Sequence, residues 1–271
     1  MADTAVESFA GARVLITGGS SGIGAGLAEA FAAAGATVGI AARRHDLLSQ
    51  VVERCRAHSP TSTMWTVDLS DNAAVDRLAR QAVDELGGVD ILVNNAGIPK
   101  RRHVTALDPA TVEAVMAINY LSPVRLTLAL LPHMLERGSG TIVSVASVAA
   151  TLSPPGESAY SASKAALSVF SESMAVDLWA TGVKVAVVYP GVVDTELFTL
   201  PDNDPFTGDV PSITVEEAAA TILEGVAAGA LSIYVPGYFA EFASQKAQDV
   251  GGFLAGTAAY VQSRSTSPTE G

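Results

Sequence analysis

The chain is 271 residues long, which is ample for one large domain with a sizeable core. Its 16 basic residues stand against 28 acidic ones, giving a formal net charge of -12. That balance excludes a general nucleic-acid or anionic-membrane surface, both of which need clustered Lys and Arg, although a local basic pocket remains compatible with it. Cys55 is the single cysteine, so no disulfide can close within the chain, as suits a reducing compartment.

Residues 1–10 read as an N-terminal tail. They hold Asp3 and Glu7 and lack the basic and apolar regions of a cleaved signal. The apolar stretches elsewhere are broken by Gly, Ser and charge, so no membrane span is read and a cytoplasmic protein is expected. Arg13–Thr17 reads as a strand, Ile23–Ala34 as a helix stopped by Gly35, and Thr37–Ala41 as a second strand. A helix over Leu47–Ala57, a strand over Ser62–Val67, a helix over Ala73–Leu86 and a strand over Asp90–Val93 follow. One long helix is predicted over Thr111–Leu135, then a strand at Thr141–Val145, a helix at Ala159–Ala180 and a strand at Val183–Tyr189. Gly191–Ser212 holds Pro201, Pro205 and Pro211 and reads as a long loop, of the kind that forms a lid or merely an exposed insertion. A helix at Glu216–Ala228 and a strand at Ser232–Val235 close the pattern. Strands that alternate with helices require crossover connections, hence a parallel sheet covered on both faces. The nearly continuous apolar strands agree, since both of their faces must be buried. A mixed aromatic and small-residue extension occupies 237–262, and the polar stretch 263–271 is expected to be disordered.

Between the first strand and first helix lies Thr17-Gly18-Gly19-Ser20-Ser21-Gly22-Ile23-Gly24. Strand, glycine turn and helix is the context a dinucleotide site requires. Gly18 permits the tight turn, Gly22 the approach of phosphate, and Gly24 close packing of the helix, whose free N–H groups meet the pyrophosphate. The second strand ends in Ala41-Ala42-Arg43-Arg44. An acidic residue there would hold the ribose hydroxyls of NAD, whereas arginines suit a 2'-phosphate. NADP is therefore favoured, on Arg43 first and Arg44 second, with NAD possible and a solvated surface role open for either arginine. Ser20 or Ser21 offers a further hydrogen bond. Asp68, after the third strand, is suited to contact the adenine or to cap the turn near Ser70. Tyr160 and Lys164 lie four apart in a helical stretch and so share a face. A phenol is a poor acid–base group at neutral pH, and a nearby ammonium would bring its pKa toward the useful range.

These motifs together with Asn94-Asn95-Ala96-Gly97, Asn119, Ser147, Tyr160-Ser161-Ala162-Ser163-Lys164, and Pro190-Gly191 with Thr195 resemble the short-chain dehydrogenase/reductase family, in its form of about 250 residues. The resemblance covers about residues 10–236 and its motifs occur in the family's order. It implies a single-domain Rossmann-type α/β fold over 11–236, a doubly wound parallel sheet of about seven strands with helices on both faces. It also implies Tyr160 as the general acid in reduction and base in oxidation. Ser147 would hold the substrate oxygen, Lys164 would lower the tyrosine pKa and bind the nicotinamide ribose, and Asn119 would anchor a water in a relay to Lys164. Cofactor contacts are implied for Gly18, Ser20, Ser21, Gly22, Ile23, Gly24, Asp68, Leu69, Asn95, Ala96, Gly97, Pro190, Gly191, Val193 and Thr195, besides Tyr160, Lys164 and the two arginines. No metal is expected. Ala146 departs from the family's frequent second serine and Ala150 from its frequent glycine, neither of which removes a chemical group. Ser144 is the lesser candidate beside Ser147.

The segment after Ser147 and the loop 191–213 would close the substrate pocket. They offer Leu152, Pro154, Pro155, Leu197, Phe198, Leu200 and Phe206 and no Arg or Lys, favouring an uncharged, fairly apolar ketone, aldehyde or secondary alcohol. An acyl-thioester reductase is the alternative, weakened by the lack of an obvious basic docking patch near the loop. A cofactor-binding regulatory or scaffold protein is the rival outside enzymes. A small-molecule substrate is the expected partner, with no nucleic acid. The resemblance of Thr111–Leu135 and Ala159–Ala180 to the family's subunit-contact helices implies a homodimer or homotetramer.

Overall fold

The computed structural model describes residues 9–206, 208 and 210–265. Its strands are β1 (Arg13–Thr17), β2 (Thr37–Ala42), β3 (Thr63–Thr66), β4 (Ile91–Asn94), β5 (Gly140–Val145), β6 (Val183–Pro190) and β7 (Ser232–Val235). Its helices are α1 (Gly22–Ala33), α2 (His45–Arg56), α3 (Asn72–Leu86), α4 (Pro109–Met116), α5 (Ser122–Arg137), α6 (Ala149–Leu152), α7 (Ser158–Asp177), α8 (Val215–Ala227), α9 (Phe239–Gln248) and α10 (Val250–Ser265). The strands pair in parallel in the order β3-β2-β1-β4-β5-β6-β7. The chain therefore winds outward in one direction from β1 and then in the other from β4. A crevice opens beyond the carboxyl ends of those two strands, where neighbouring connections leave to opposite faces.

Period-two alternation divides each strand between two cores. Val14 and Ile16 of β1, Ile91 and Val93 of β4, and Val143 and Val145 of β5 pack with Leu27, Ala28 and Phe31 of α1, Leu48 and Val52 of α2, and Ile222 of α8. Leu15, Leu92, Ile142 and Val185 point the other way, to Val75 and Leu78 of α3, Leu126, Leu130 and Met134 of α5, and Met174 of α7. Each such aliphatic side chain contributes about 1.5–3 kcal/mol by leaving water, so the two cores hold the strand ends rigidly.

The helix predicted over Thr111–Leu135 is α4 and α5 joined by a π-helical turn, Ala117–Leu121, and begins earlier, at Pro109. Asp108 caps it, its carboxylate accepting from Thr111 N at 2.9 Å, and Pro109 at the first position has no N–H to leave unpaired. The widened turn carries Asn119 to a fully buried position, the local geometry expected where a helix is shaped around a site. By length and composition the run Pro109–Arg137 is apolar enough to cross a membrane. Here its apolar stripe is buried between α3 and the sheet, and Arg125 on its outer side pairs with Asp76 of α3 at 2.6 Å. The extension after β7 is helical, with Phe239 of α9 buried and Lys246 Nζ donating to Ser153 Oγ at 2.7 Å. Residues 263–265, expected to be disordered, complete α10, while the rest of that expectation, 266–271, lies outside the described residues, as does 1–8 of the N-terminal tail.

Candidate active site

A cleft of about 570 Å³ runs over the carboxyl ends of the central strands. It joins the glycine turn, the end of β2, the residues after β4 and β5, the start of α7 and the loop after β6. Of the residues singled out in the sequence, Gly18, Ser20, Ser21, Gly22, Ile23, Arg43, Arg44, Asp68, Leu69, Asn95, Ala96, Gly97, Ser147, Tyr160, Lys164, Pro190, Gly191, Val193 and Thr195 line it. Gly24 and Asn119 stand behind its wall.

At the glycine turn, φ is +69° at Gly18 and +53° at Gly22, the left-handed region that side chains resist. A Cβ on Gly24 would lie 2.3 Å from Gly18 O and 2.4 Å from Asn95 Nδ2, so α1 can press against the turn only without one. Asn95 Nδ2 in turn donates to Thr17 O at 3.0 Å, pinning β1 to β4 beneath the turn. Ser21, the N-cap of α1, makes no capping bond with its side chain. The helix's first N–H groups thus face the cleft, a cradle for phosphate oxygens. Asp68 accepts from Ser70 N at 2.9 Å and Ser70 Oγ at 2.8 Å, while α3 is capped by Asp71. These groups fit a nicotinamide dinucleotide: bare backbone at the phosphates, a guanidinium pair at the rim beyond β2, and apolar walls between. Gly18, Ser21, Gly22 and Ile23 would hold its phosphates, and Thr195, whose Cγ2 lies 3.0 Å from a Cβ on Gly22, closes the opposite side.

At the other end, Tyr160 and Lys164 share the inner face of α7. Burial raises the phenol pKa above its ordinary range, the charge of Glu157 raises it further, and a hydrogen bond with Ser147 opposes both. The Lys164 ammonium is buried, donates to Val145 O at 2.7 Å and stands 5.9 Å from the Tyr160 ring centroid. Burial brings its pKa down to about 8. In this geometry burial and Glu157 set the direction of the phenol's shift, and Lys164 donates to a strand carbonyl. Asn119 accepts from Ile98 N at 2.8 Å and donates to Ile98 O and Ser163 Oγ, both at 3.0 Å. It therefore ties the π turn to the segment after β4, with its Oδ1 and Lys164 Nζ both pressed against Gly97. Ser144 is buried under α7, accepting from Ser171 Oγ at 2.8 Å, and is not among the residues that line the cleft.

Three cationic residues and two acids escaped the sequence reading. Lys100, Arg101 and Arg102 follow the Asn95–Gly97 motif and seize the loop after β6. Lys100 Nζ and Arg102 Nη2 pair with Asp202 at 2.5 and 2.7 Å. Arg101, only 5 % exposed, donates to Asp204 O at 3.0 Å and Phe198 O at 2.7 Å and lies over the Phe198 ring. The loop segments themselves lack cations, as read, yet the pocket they close has a basic wall from another part of the chain. Glu157, 9 % exposed, lines the cleft one turn before Tyr160, and burial pushes its pKa up to about 7 against the pull of Arg101. Glu196, beside Thr195, crosses to Arg44 and Ser21. The spacing Glu157–Tyr160 was a readable signal; the pairing of residues a hundred positions apart was not. Phe239 of the extension also lines the cleft, so tightly against Gly191 that a Cβ there would lie 2.2 Å from its ring.

Residues 12–204 match the short chain dehydrogenase family. The chain is similar to a short chain dehydrogenase of Pseudocercospora fijiensis, 42 % identical over 69 % of this chain and 61 % of the relative, somewhat under two thirds of that protein's length. It is also similar to a fatty acyl-CoA reductase of Mycobacterium tuberculosis, 39 % identical over 77 % of this chain and 71 % of the relative. Among solved structures, a short-chain dehydrogenase of Streptomyces avermitilis superposes with a TM-score of 0.80 at 30 % identity, covering 94 % of this chain and 98 % of the other. The glycine turn, the Tyr160–Lys164 pair and the seven-stranded sheet thus have one common explanation: the chain belongs to the short chain dehydrogenase family of oxidoreductases, with a nucleotide-binding Rossmann fold.

Proposed function

We propose that the protein interconverts an uncharged, fairly apolar ketone or aldehyde and the corresponding alcohol, using NADP(H). The observation that carries this reading is the convergence of Ser147, Tyr160 and Lys164 on the same cleft as the glycine turn and the arginine pair. A bound nicotinamide supplies the hydride for reduction or accepts it in oxidation. In reduction Tyr160 Oη donates its proton to the carbonyl oxygen, while Ser147 Oγ donates a hydrogen bond that holds that oxygen as negative charge develops. The raised phenol pKa keeps Tyr160 protonated at neutral pH, which suits the acid role. Lys164 faces the ribose side of the cleft and Asn119 fixes the wall behind it. Leu152, Leu197, Phe198, Leu200 and Phe206 give the substrate an apolar seat. Cytoplasmic location and homo-oligomer assembly complete the proposal, the exposed Val169, Val176 and Trp179 on and beyond α7 supplying apolar surface for a subunit contact.

A second reading, reduction of an acyl thioester, is favoured by Lys100 and Arg101 in the wall of the cleft and by the likeness to a fatty acyl-CoA reductase. Following NADPH and NADH absorbance with a panel of uncharged ketones and aldehydes and one long-chain acyl-CoA tests both. Oxidation of NADPH by a panel member that disappears in Tyr160→Phe, with NADPH still bound, is the expected result. Undiminished turnover in that variant would overturn the assignment, and turnover with the acyl-CoA alone would select the second reading.

A further inference from the structure

Four side chains from three distant parts of the chain close a ring at the rim of the nucleotide cradle. Arg44 Nη2 donates to Ser21 Oγ at 2.6 Å and to Ser20 Oγ at 3.2 Å. Ser21 Oγ donates to Glu196 Oε1 at 2.8 Å, and the same carboxylate oxygen forms an ion pair with Arg44. The arginine and the glutamate are each 44 % exposed. Arg43, by contrast, has no hydrogen bond or ion pair among the described residues and lines the same rim. A guanidinium with two hydroxyls beside a helix N-terminus is a donor set suited to a phosphate monoester. Here those donors are turned onto a carboxylate carried by the loop after β6.

We infer that Glu196 is a cofactor-selectivity residue: its carboxylate competes with a nucleotide 2'-phosphate for Arg44 and Ser21, and so restrains the preference for NADP(H) that Arg43 and Arg44 would otherwise confer. This deepens the proposed NADP(H) reading and rests on it. A phosphate dianion and a carboxylate repel when they share one guanidinium, so a 2'-phosphorylated nucleotide must displace Glu196 while one with a free 2'-hydroxyl need not. The displaced pair is solvent-exposed and therefore weak, which makes the restraint modest and salt-sensitive rather than a block. Because Glu196 adjoins Thr195 and opens the loop that also covers the substrate pocket, its release would be felt at that loop.

The test is calorimetric titration of the full chain with 2',5'-ADP and with 5'-ADP, in wild type, Glu196→Gln and Glu196→Asp. Glutamine keeps an acceptor for Ser21 and removes only the charge; aspartate keeps the charge and shortens its reach. Glu196 is exposed, so folding is not at stake. Glu196→Gln should tighten 2',5'-ADP roughly threefold to tenfold and 5'-ADP less than about twofold, with the difference shrinking at high salt. Equal shifts for the two nucleotides, or none for either, would overturn the inference while wild-type preference for 2',5'-ADP left the NADP(H) reading standing. Wild type binding neither nucleotide would remove both.

Discussion

Burial raises the phenol pKa of Tyr160, and the carboxylate of Glu157, one helical turn earlier at the start of α7, raises it further. The effect is reciprocal in kind: the apolar surroundings of the same pocket push the Glu157 carboxyl up to about 7, partly offset by Arg101. An acid that changes charge near neutral pH thus stands next to the proton donor of the proposed reaction.

Glu157→Gln should move the alkaline rise of alcohol oxidation to lower pH, because phenolate no longer forms beside a carboxylate. The same variant should alter the pH dependence of stability. A carboxyl whose folded pKa lies above its unfolded value binds its proton more tightly when folded, so it costs nothing below the unfolded pKa and its cost grows as pH rises to about 7. At pH 8 the variant should be more stable by on the order of 2–3 kcal/mol, with little difference at pH 4. Parallel urea melts at the two pH values, together with oxidation pH profiles, check both; unchanged profiles would show that Glu157 and Tyr160 are uncoupled.

Arg43→Ala should weaken NADPH about tenfold and NADH less than twofold, since one charge-assisted contact to a 2'-phosphate is at issue. Arg43 makes no hydrogen bond or ion pair among the described residues, whereas Arg44 is already engaged with Glu196, Ser20 and Ser21, so Arg44→Ala should show the smaller discrimination. Fluorescence titration with each cofactor measures it. A uniform loss for both cofactors would place the arginines elsewhere than at a 2'-phosphate.

Asp202 joins Lys100 and Arg102 to the loop that lines the cleft after β6, and it does so with φ at +61°. Asparagine tolerates that backbone, so Asp202→Asn isolates the charge. The variant's loop should be cut faster in limited proteolysis and KM should rise severalfold at low salt, converging on wild type at about 0.5 M salt where exposed ion pairs are screened. Identical cleavage rates would mean that the Asp202 ion pairs do not hold the loop.

Gly24→Ala should destabilise the fold by about 1–3 kcal/mol and abolish nucleotide binding, although alanine is the better helix former. The added methyl would overlap Gly18 O and Asn95 Nδ2, both backed by β1 and β4, and can only push the turn outward into the phosphate cradle. Thermal melts and nucleotide titration together test it; a variant of raised Tm with intact binding would contradict the close packing.

Sequence alone determined the architecture, since the spacing of apolar runs imposes alternating strands and crossover helices, and a right-handed parallel sheet follows from that alternation. It also located the glycine turn and the Tyr160–Lys164 pair, because both are local: a turn needs adjacent glycines, and one helix face is set by a spacing of four. Boundaries drifted by one to three residues, and the π turn at Ala117–Leu121 was invisible, as a single widened turn leaves the apolar period almost unchanged. What only the tertiary structure decided is which charges meet. Lys100, Arg101 and Arg102 reach the loop at 198–204, Glu196 reaches Arg44, and Glu157 enters the pocket with Arg101. Those pairings join residues about 55 to 150 positions apart, brought together because parallel strands deliver all their carboxyl-end loops to one edge of the sheet. Composition fixes how many charges a chain carries; only the winding of the sheet sets their neighbours, and with them the pKa values and the access to the cleft.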